Sequence, residues 1–114
     1  MARARTTSDI FNAIAEPQRR YILTLLKQGE HTVNDIADKL TMRQPQASKH
    51  LRILREVDLV GVRQVGKQRH YSLKAQNLKP IYDWAGGFEQ LWRERFTQLD
   101  DYLEQMKIEE NDNE

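Results

Sequence analysis

The sequence contains no cysteine among its 114 residues. Disulfides, thiolate metal sites and cysteine nucleophiles are therefore excluded. No apolar run is long enough to cross a bilayer, so we expect no membrane span. The first residues, MARARTTSD, are basic but lack a following apolar stretch, which argues against a signal peptide. We expect a cytoplasmic protein with a single small core.

The sequence also lacks the residue combinations of common active sites. We find no paired carboxylates, no nucleophile next to a base and no glycine-rich phosphate loop in a plausible cleft. The sequence therefore predicts no enzyme activity and no cofactor.

Charge is unevenly distributed, although the formal net charge is only +1. Residues 1–80 carry 15 Lys or Arg and 7 Asp or Glu, whereas residues 81–114 carry 3 and 10. A basic body with an acidic end suits a polyanionic ligand on one surface. The alternative is that the acidic end serves only solubility.

The first third of the chain predicts two helices and a short strand. Apolar spacing favours a helix over 9–15, with Ser8 as its N-cap. Pro17 suits the first turn of a second helix, which we expect to run to about Gln28. Residues 31–33 are expected to pair as a strand.

Residues 34–54 have the pattern of two short helices joined by a tight turn. We expect Asn34 to cap the first helix, and the second to span 44–57 with Ala47, Leu51 and Leu54 buried. This is the helix-turn-helix pattern, in which the second helix enters the DNA major groove. The alternative is two solvated amphipathic helices in an all-α domain. The predicted DNA contacts on the second helix are Arg43, Gln44, Gln46, Ser48, Lys49, His50 and Arg52.

Residues 59–73 change to an alternating pattern that predicts a β-hairpin. Gly66 and Lys67 fit a two-residue loop in which glycine supplies a positive φ. A hairpin directly after a recognition helix is a wing, whose cations Arg63, Lys67 and Arg69 can contact phosphates. The alternative is an edge hairpin whose charges only prevent aggregation.

The helical period returns from Lys79 or Pro80 to about Met106, a span of about 27 residues that is long for a small domain. The adjacent Gly86 and Gly87 interrupt it and indicate a kink, a close helix approach or a ligand cavity. The apolar stripe is wide for one small core, so we expect a second copy to cover it. The alternative is that the helix folds over the core of its own chain. We predict one domain over 8–106 and a disordered acidic tail over 107–114. The predicted dimer contacts are Ile10, Phe11, Ile14, Phe88, Leu91, Trp92, Leu99 and Leu103.

The order of these elements resembles the ArsR/SmtB family of winged-helix repressors. The likeness is carried by AIAEPQRRYILTLL at 13–26, NDIADKL at 34–40, QPQASKHLRILREVDLV at 44–60 and GVRQVGKQRHYSL at 61–73. The resemblance implies a mainly α fold with a small hairpin wing. It also implies a homodimer that represses transcription at a palindromic operator in double-stranded DNA until a signal releases it.

Many members of that family sense metal ions, but this sequence departs from their ligand sets. Thr32 and Asn34 stand where the metal-sensing relatives have cysteines. The last helix offers Asp83, Glu89 and Glu94 but no histidine, and His31, His50 and His70 are far apart in the sequence. The sequence therefore is similar to the cysteine-free branch and predicts no metal site. It does not identify an inducer.

Two other functions stay open from the sequence. The protein could be an architectural or non-specific DNA-binding protein, or a co-regulator whose basic face meets an acidic partner. Arg19 and Arg20 are similarly ambiguous: they suit either the DNA backbone or internal ion pairs with Glu16 or Glu30.

Overall fold

The computed structural model of the chain describes residues 9–112. They form a mostly helical fold with one small antiparallel sheet, as the sequence predicts. Within this described part, no helix combines the length and the apolarity needed to cross a membrane. Residue contacts divide the chain into two compact units, one ending at Ile81 and one starting at Tyr82. The prediction of a single domain over 8–106 stays a prediction.

The first two helices are α1 (Ile10–Ala15) and α2 (Pro17–Leu26). The carboxylate of Asp9 caps α1 by accepting the Phe11 N–H at 2.7 Å. Ser8, the predicted cap, lies outside the described residues. Proline occupies the first turn of α2, where its missing N–H costs nothing. Both predicted helices are confirmed, although α2 ends two residues before Gln28.

The next elements are β1 (His31–Thr32), α3 (Val33–Leu40) and α4 (Gln44–Glu56). The prediction that Asn34 caps α3 is wrong. The strand ends at Thr32, and the Thr32 hydroxyl accepts the Asp35 N–H at 3.2 Å, so Thr32 is the N-cap. Thr41 closes α3 in the left-handed conformation with a φ of 54°, which turns the chain toward α4 within three residues.

The predicted hairpin is confirmed as β2 (Val60–Val65) and β3 (Gln68–Leu73). Val65 pairs with Gln68 across a two-residue loop, and Gly66 supplies the positive φ of 62°. β3 lies between β2 and β1, and β1 pairs only with His70 and Tyr71. We call residues 60–73 the wing.

The core lies between α1–α4 and the base of the wing. As predicted, α4 buries Ala47, Leu51 and Leu54. Full burial of one leucine contributes about 1.5–3 kcal/mol, so this face anchors the helix. The largest fully buried side chains are Ile22, Ile36, Leu51, Leu54, Leu59 and Val60.

The final segment contains two helices, α5 (Lys79–Gly86) and α6 (Glu89–Asp112), which follow a short 3-10 turn over Ala75–Leu78. The prediction of one helix is wrong, because the chain leaves the α-helical pattern at Gly87. The kink interpretation of the glycine pair is the one that matches this break. α6 also continues six residues beyond Met106, so 107–112 are helical rather than a disordered tail.

Candidate nucleic-acid interface

The polar face of α4 lies opposite its buried face. Gln44, Lys49 and Arg52 are exposed, and Ser48 is half-buried. The Gln44 amide donates to the Ser48 hydroxyl at 3.4 Å, so the two polar groups are adjacent one turn apart. Arg43 occupies the N-cap position without a side-chain cap, which leaves its guanidinium exposed.

A cleft of about 350 Å³ separates the start of α4 from the wing. Gln44 and Ser48 line one side, and Lys67 and Arg69 line the other. None of the described residues that line it is acidic. The fold therefore brings two predicted contacts of α4, Gln44 and Ser48, together with two predicted contacts of the wing around one polar, cationic cleft. The other predicted contacts of α4 do not line this cleft.

Arg63 is placed differently from the other wing cations. Its Nε lies 3.0 and 2.9 Å from the two carboxylate oxygens of Glu30, and its Nη2 lies 2.9 Å from Oε1. This hydrogen-bonded pair lowers the pKa of Glu30 and raises the pKa of Arg63. Because Glu30 immediately precedes β1, the pair connects the wing to the neighbouring loop. The Arg63 side chain is still 63% exposed, so its DNA contact stays a prediction.

His50 is the clearest error among the predicted contacts. Only 8% of the residue is exposed. Its Nε2 lies 2.9 Å from Oε1 of Gln18, and its Nδ1 lies 3.3 Å from Nη1 of Arg19. Burial and the Arg19 charge lower the pKa of His50, against a smaller opposite effect of Glu16. His50 is therefore an internal residue and not a phosphate contact.

Gln46 is half-buried and also contacts α2. Its Nε2 donates to Oε1 of Gln18 at 2.9 Å, so Gln18 accepts hydrogen bonds from two residues of α4. Gln18 is not among the residues predicted from the sequence. Gln18 and Gln46 are 28 positions apart, and no periodicity marks a polar contact between two helices.

The two arginines of α2 bind the end of α1 rather than the acidic residues that were their predicted internal partners. Arg19 Nε donates to the carbonyl of Ala13 at 2.5 Å, and Arg20 Nη1 donates to that of Ile14 at 2.6 Å. These carbonyls belong to the last turn of α1, where cations are favourable. The ion pairs proposed with Glu16 or Glu30 are replaced by contacts that fasten α1 to α2.

The predicted dimer contacts have two different environments. Ile10 and Ile14 pack against the core of their own chain, whereas Phe11 is exposed. In the second unit, Phe88 stacks on Trp92 at a centroid distance of 6.4 Å. Large apolar side chains lie exposed along this unit, among them Phe88, Leu91, Trp92, Phe96, Leu99, Leu103 and Met106.

Thr32 and Asn34 lie at the start of α3 and line the cleft beside α4. Across residues 9–112 no three His, Asp or Glu side chains lie close enough together to hold a metal ion.

The chain is similar to known regulatory proteins in sequence. Residues 16–62 match the model of the family described as "Bacterial regulatory protein, arsR family". The chain is 36% identical over 81 residues to the transcriptional repressor SdpR of Bacillus subtilis. The aligned region covers 71% of this chain and 90% of that protein. It is also 36% identical over 86 residues to the arsenical resistance operon repressor of Escherichia coli, covering 74% of this chain and 70% of that protein.

A solved structure shares the fold. The homodimeric winged helix-turn-helix DNA-binding domain of a possible ArsR-family regulator from Mycobacterium bovis superposes with a TM-score of 0.60 and 26% identity. The match covers 79% of this chain and 91% of that domain. With this fold and these relatives, the chain belongs to the ArsR family of bacterial regulatory proteins.

Proposed function

We propose that the protein is a homodimeric transcriptional repressor that binds a palindromic operator in double-stranded DNA. One observation carries this proposal: Gln44 and Ser48 of α4 and the cations Lys67 and Arg69 of the wing line a single cleft. Such a cleft fits a DNA backbone beside a groove, with α4 in the major groove. The names of the relatives, two of which are repressors, support the direction of regulation.

The residue types divide into two roles. Glutamines at the start of α4 present both donors and acceptors, which suits base edges. Lys67 and Arg69 suit phosphates, whose contacts give affinity without sequence preference. Arg43, Lys49 and Arg52 are exposed at the start and along the surface of α4, and we assign them to phosphate or flanking contacts.

Removing one wing cation tests this division. We expect Lys67→Ala to weaken binding to all duplexes equally and to reduce the slope of log affinity against log salt by about 1. The measurement is fluorescence anisotropy with a duplex selected from a random library and with its scrambled counterpart, at several salt concentrations. Lys27→Ala, which removes an exposed lysine at the end of α2, is the matched control. Equal wild-type affinity for the two duplexes would instead indicate an architectural, non-specific binder.

The dimer is proposed from the second unit. Trp92, Phe96, Leu99 and Leu103 repeat at intervals of four and three residues along α6, yet each is more than two-fifths exposed. A second copy of the chain is the occupant that fits the proposed twofold operator, and the homodimeric Mycobacterium bovis relative supports it.

A charge placed in this apolar row tests the dimer. We expect Leu99→Asp to shift the protein toward monomer in sedimentation equilibrium, because the carboxylate would be buried between copies. Gln98→Asp adds the same charge at the preceding polar position and serves as the control. A wild-type monomer that binds the operator tightly would contradict the proposal.

Regulation itself is tested in a cell that carries the operator upstream of a reporter. Expression of the protein is expected to lower reporter output, and Lys67→Ala is expected to restore it in part. A repressor of this kind acts where the chromosome lies, so we propose the cytoplasmic location that the sequence predicts.

A further inference from the structure

Four side chains form a continuous hydrogen-bonded chain between α2 and α4. Arg19 contacts Nδ1 of His50 at 3.3 Å, and Nε2 of His50 contacts Oε1 of Gln18 at 2.9 Å. The same oxygen of Gln18 accepts from Nε2 of Gln46 at 2.9 Å. This series starts at the carbonyl of Ala13, which accepts from Arg19, and ends at Gln46, a half-buried residue in the first turn of α4.

The direction of every bond in this chain follows from Arg19. A guanidinium only donates, so Nδ1 of His50 accepts and its proton is on Nε2. His50 therefore donates to Gln18, which must present its oxygen. Because that oxygen also faces Gln46, the Gln46 amide must present its nitrogen to Gln18. Within the described residues, Oε1 of Gln46 has no hydrogen-bond partner.

We propose that Gln18 is a positioning residue that fixes the Gln46 amide so that its oxygen meets a base bearing an exocyclic amino group in the major groove, namely adenine or cytosine. This inference rests on the proposed function, in which α4 enters the major groove.

The chemistry of the bases explains the selection. Adenine offers an amino donor and the acceptor N7, cytosine offers an amino donor, and guanine offers two acceptors. Gln46 has its oxygen and one N–H left after bonding to Gln18, which matches adenine. Guanine would place its O6 against the Gln46 oxygen. Rotating the amide to avoid this contact would put two oxygens together at Gln18.

The first test uses the wild-type protein and modified duplexes. A duplex selected from a random library is titrated after single replacements of adenine by purine, or of cytosine by 2-pyrimidinone, each of which removes only the amino group. We expect one position per half-site at which this removal weakens binding about tenfold. At the same position, Gln46→Met is expected to bind the normal and modified duplexes equally.

The second test separates positioning from contact. Gln18→Met keeps the length of the side chain but removes the acceptor, so Gln46 is free to rotate. We expect the tenfold dependence on the amino group to fall to about threefold or less, with unchanged affinity for a scrambled duplex. In the Gln46→Met background, Gln18→Met is expected to change nothing further. Gln18→Glu retains acceptor oxygens and is expected to rescue the dependence, whereas Gln28→Met is a matched control on an exposed glutamine.

The outcomes distinguish this inference from the proposed function. Sequence-selective binding in which no amino group matters at the Gln46 position overturns the inference and leaves the repressor proposal intact. Selective binding that Gln18→Met leaves fully dependent on the amino group also overturns it. Absence of any sequence preference in the wild type overturns the proposed function first.

Discussion

The two units of the chain handle their apolar residues in opposite ways. Up to Ile81, the described residues enclose a core in which residues such as Ile22, Leu51 and Leu59 have no exposed surface. From Tyr82 onward, none of the described side chains is buried, although the segment contains most of the aromatic residues. The first unit has a core of its own, whereas the apolar face of the second requires another surface. We infer that stability and assembly are largely separable in this protein.

The largest expected effect tests that separation with one substitution in each unit. Leu51→Ala removes a fully buried side chain and is expected to lower the free energy of unfolding by about 3 kcal/mol at any protein concentration. Leu99→Ala, at an exposed position, is expected to matter only where the dimer forms. Chemical denaturation over a range of protein concentrations measures both. An equal loss at low concentration in the two variants would disprove the distinction.

Alanine substitutions at Gly66 and Gly86 are expected to change stability less than Leu51→Ala does. Gly66 has a φ of 62°, so Gly66→Ala should destabilise the wing by about 1 kcal/mol. Gly86 has a helical conformation with no atom within 4 Å of an added Cβ, so Gly86→Ala should be neutral or should stabilise α5 by up to about 1 kcal/mol. Thermal melting and helix content by circular dichroism compare the two. A destabilising Gly86→Ala would indicate that the break after α5 is under tighter constraint than its backbone shows.

The third prediction is a dependence on pH that belongs to the first unit, because the second contains no histidine. The pKa of His50 lies below its ordinary value of 6.5, since burial and Arg19 disfavour the charged ring more than Glu16 favours it, and Lys49 adds to the lowering. At a pH between the pKa of folded His50 and 6.5, the unfolded chain binds more protons than the folded chain. Stability is therefore full above 6.5 and declines as the pH falls toward the folded pKa.

Denaturant unfolding above and below pH 6.5 measures how steeply the free energy of unfolding changes with pH. His50→Asn is expected to be less stable at neutral pH but to show a shallower decline on acidification. An unchanged slope in this variant would assign the pH dependence to other groups.

Much of the fold was predictable because its determinants are local. The spacing of Ala47, Leu51 and Leu54 specifies the inner face of α4, and Gly66 specifies the loop of the wing. The errors arose where two residues compete for one role. Thr32 and Asn34 are both good N-caps, and only the end of β1 decides between them. Likewise, Gly86 and Gly87 allow a bend or a full break.

The candidate site was less predictable because it depends on contacts between distant segments. His50 did carry a local clue, since positions 47, 50, 51 and 54 follow the spacing of a buried helical face. Because the side chain is polar, it was predicted to contact DNA instead. The contacts of Gln18 with α4, and of Arg63 with Glu30, join segments about thirty residues apart and required the folded chain.

The outer part of the wing has a consequence for how the family can diversify. β1 supports β3 only at His70 and Tyr71, so residues beyond them form a two-stranded ribbon outside the core. Adding two residues to each strand near Gly66 would keep every existing side chain on its present face of the ribbon, because side chains alternate with a period of two. The ribbon would become longer by about 7 Å. The reach of the wing can therefore change during evolution without any compensating substitution in the core.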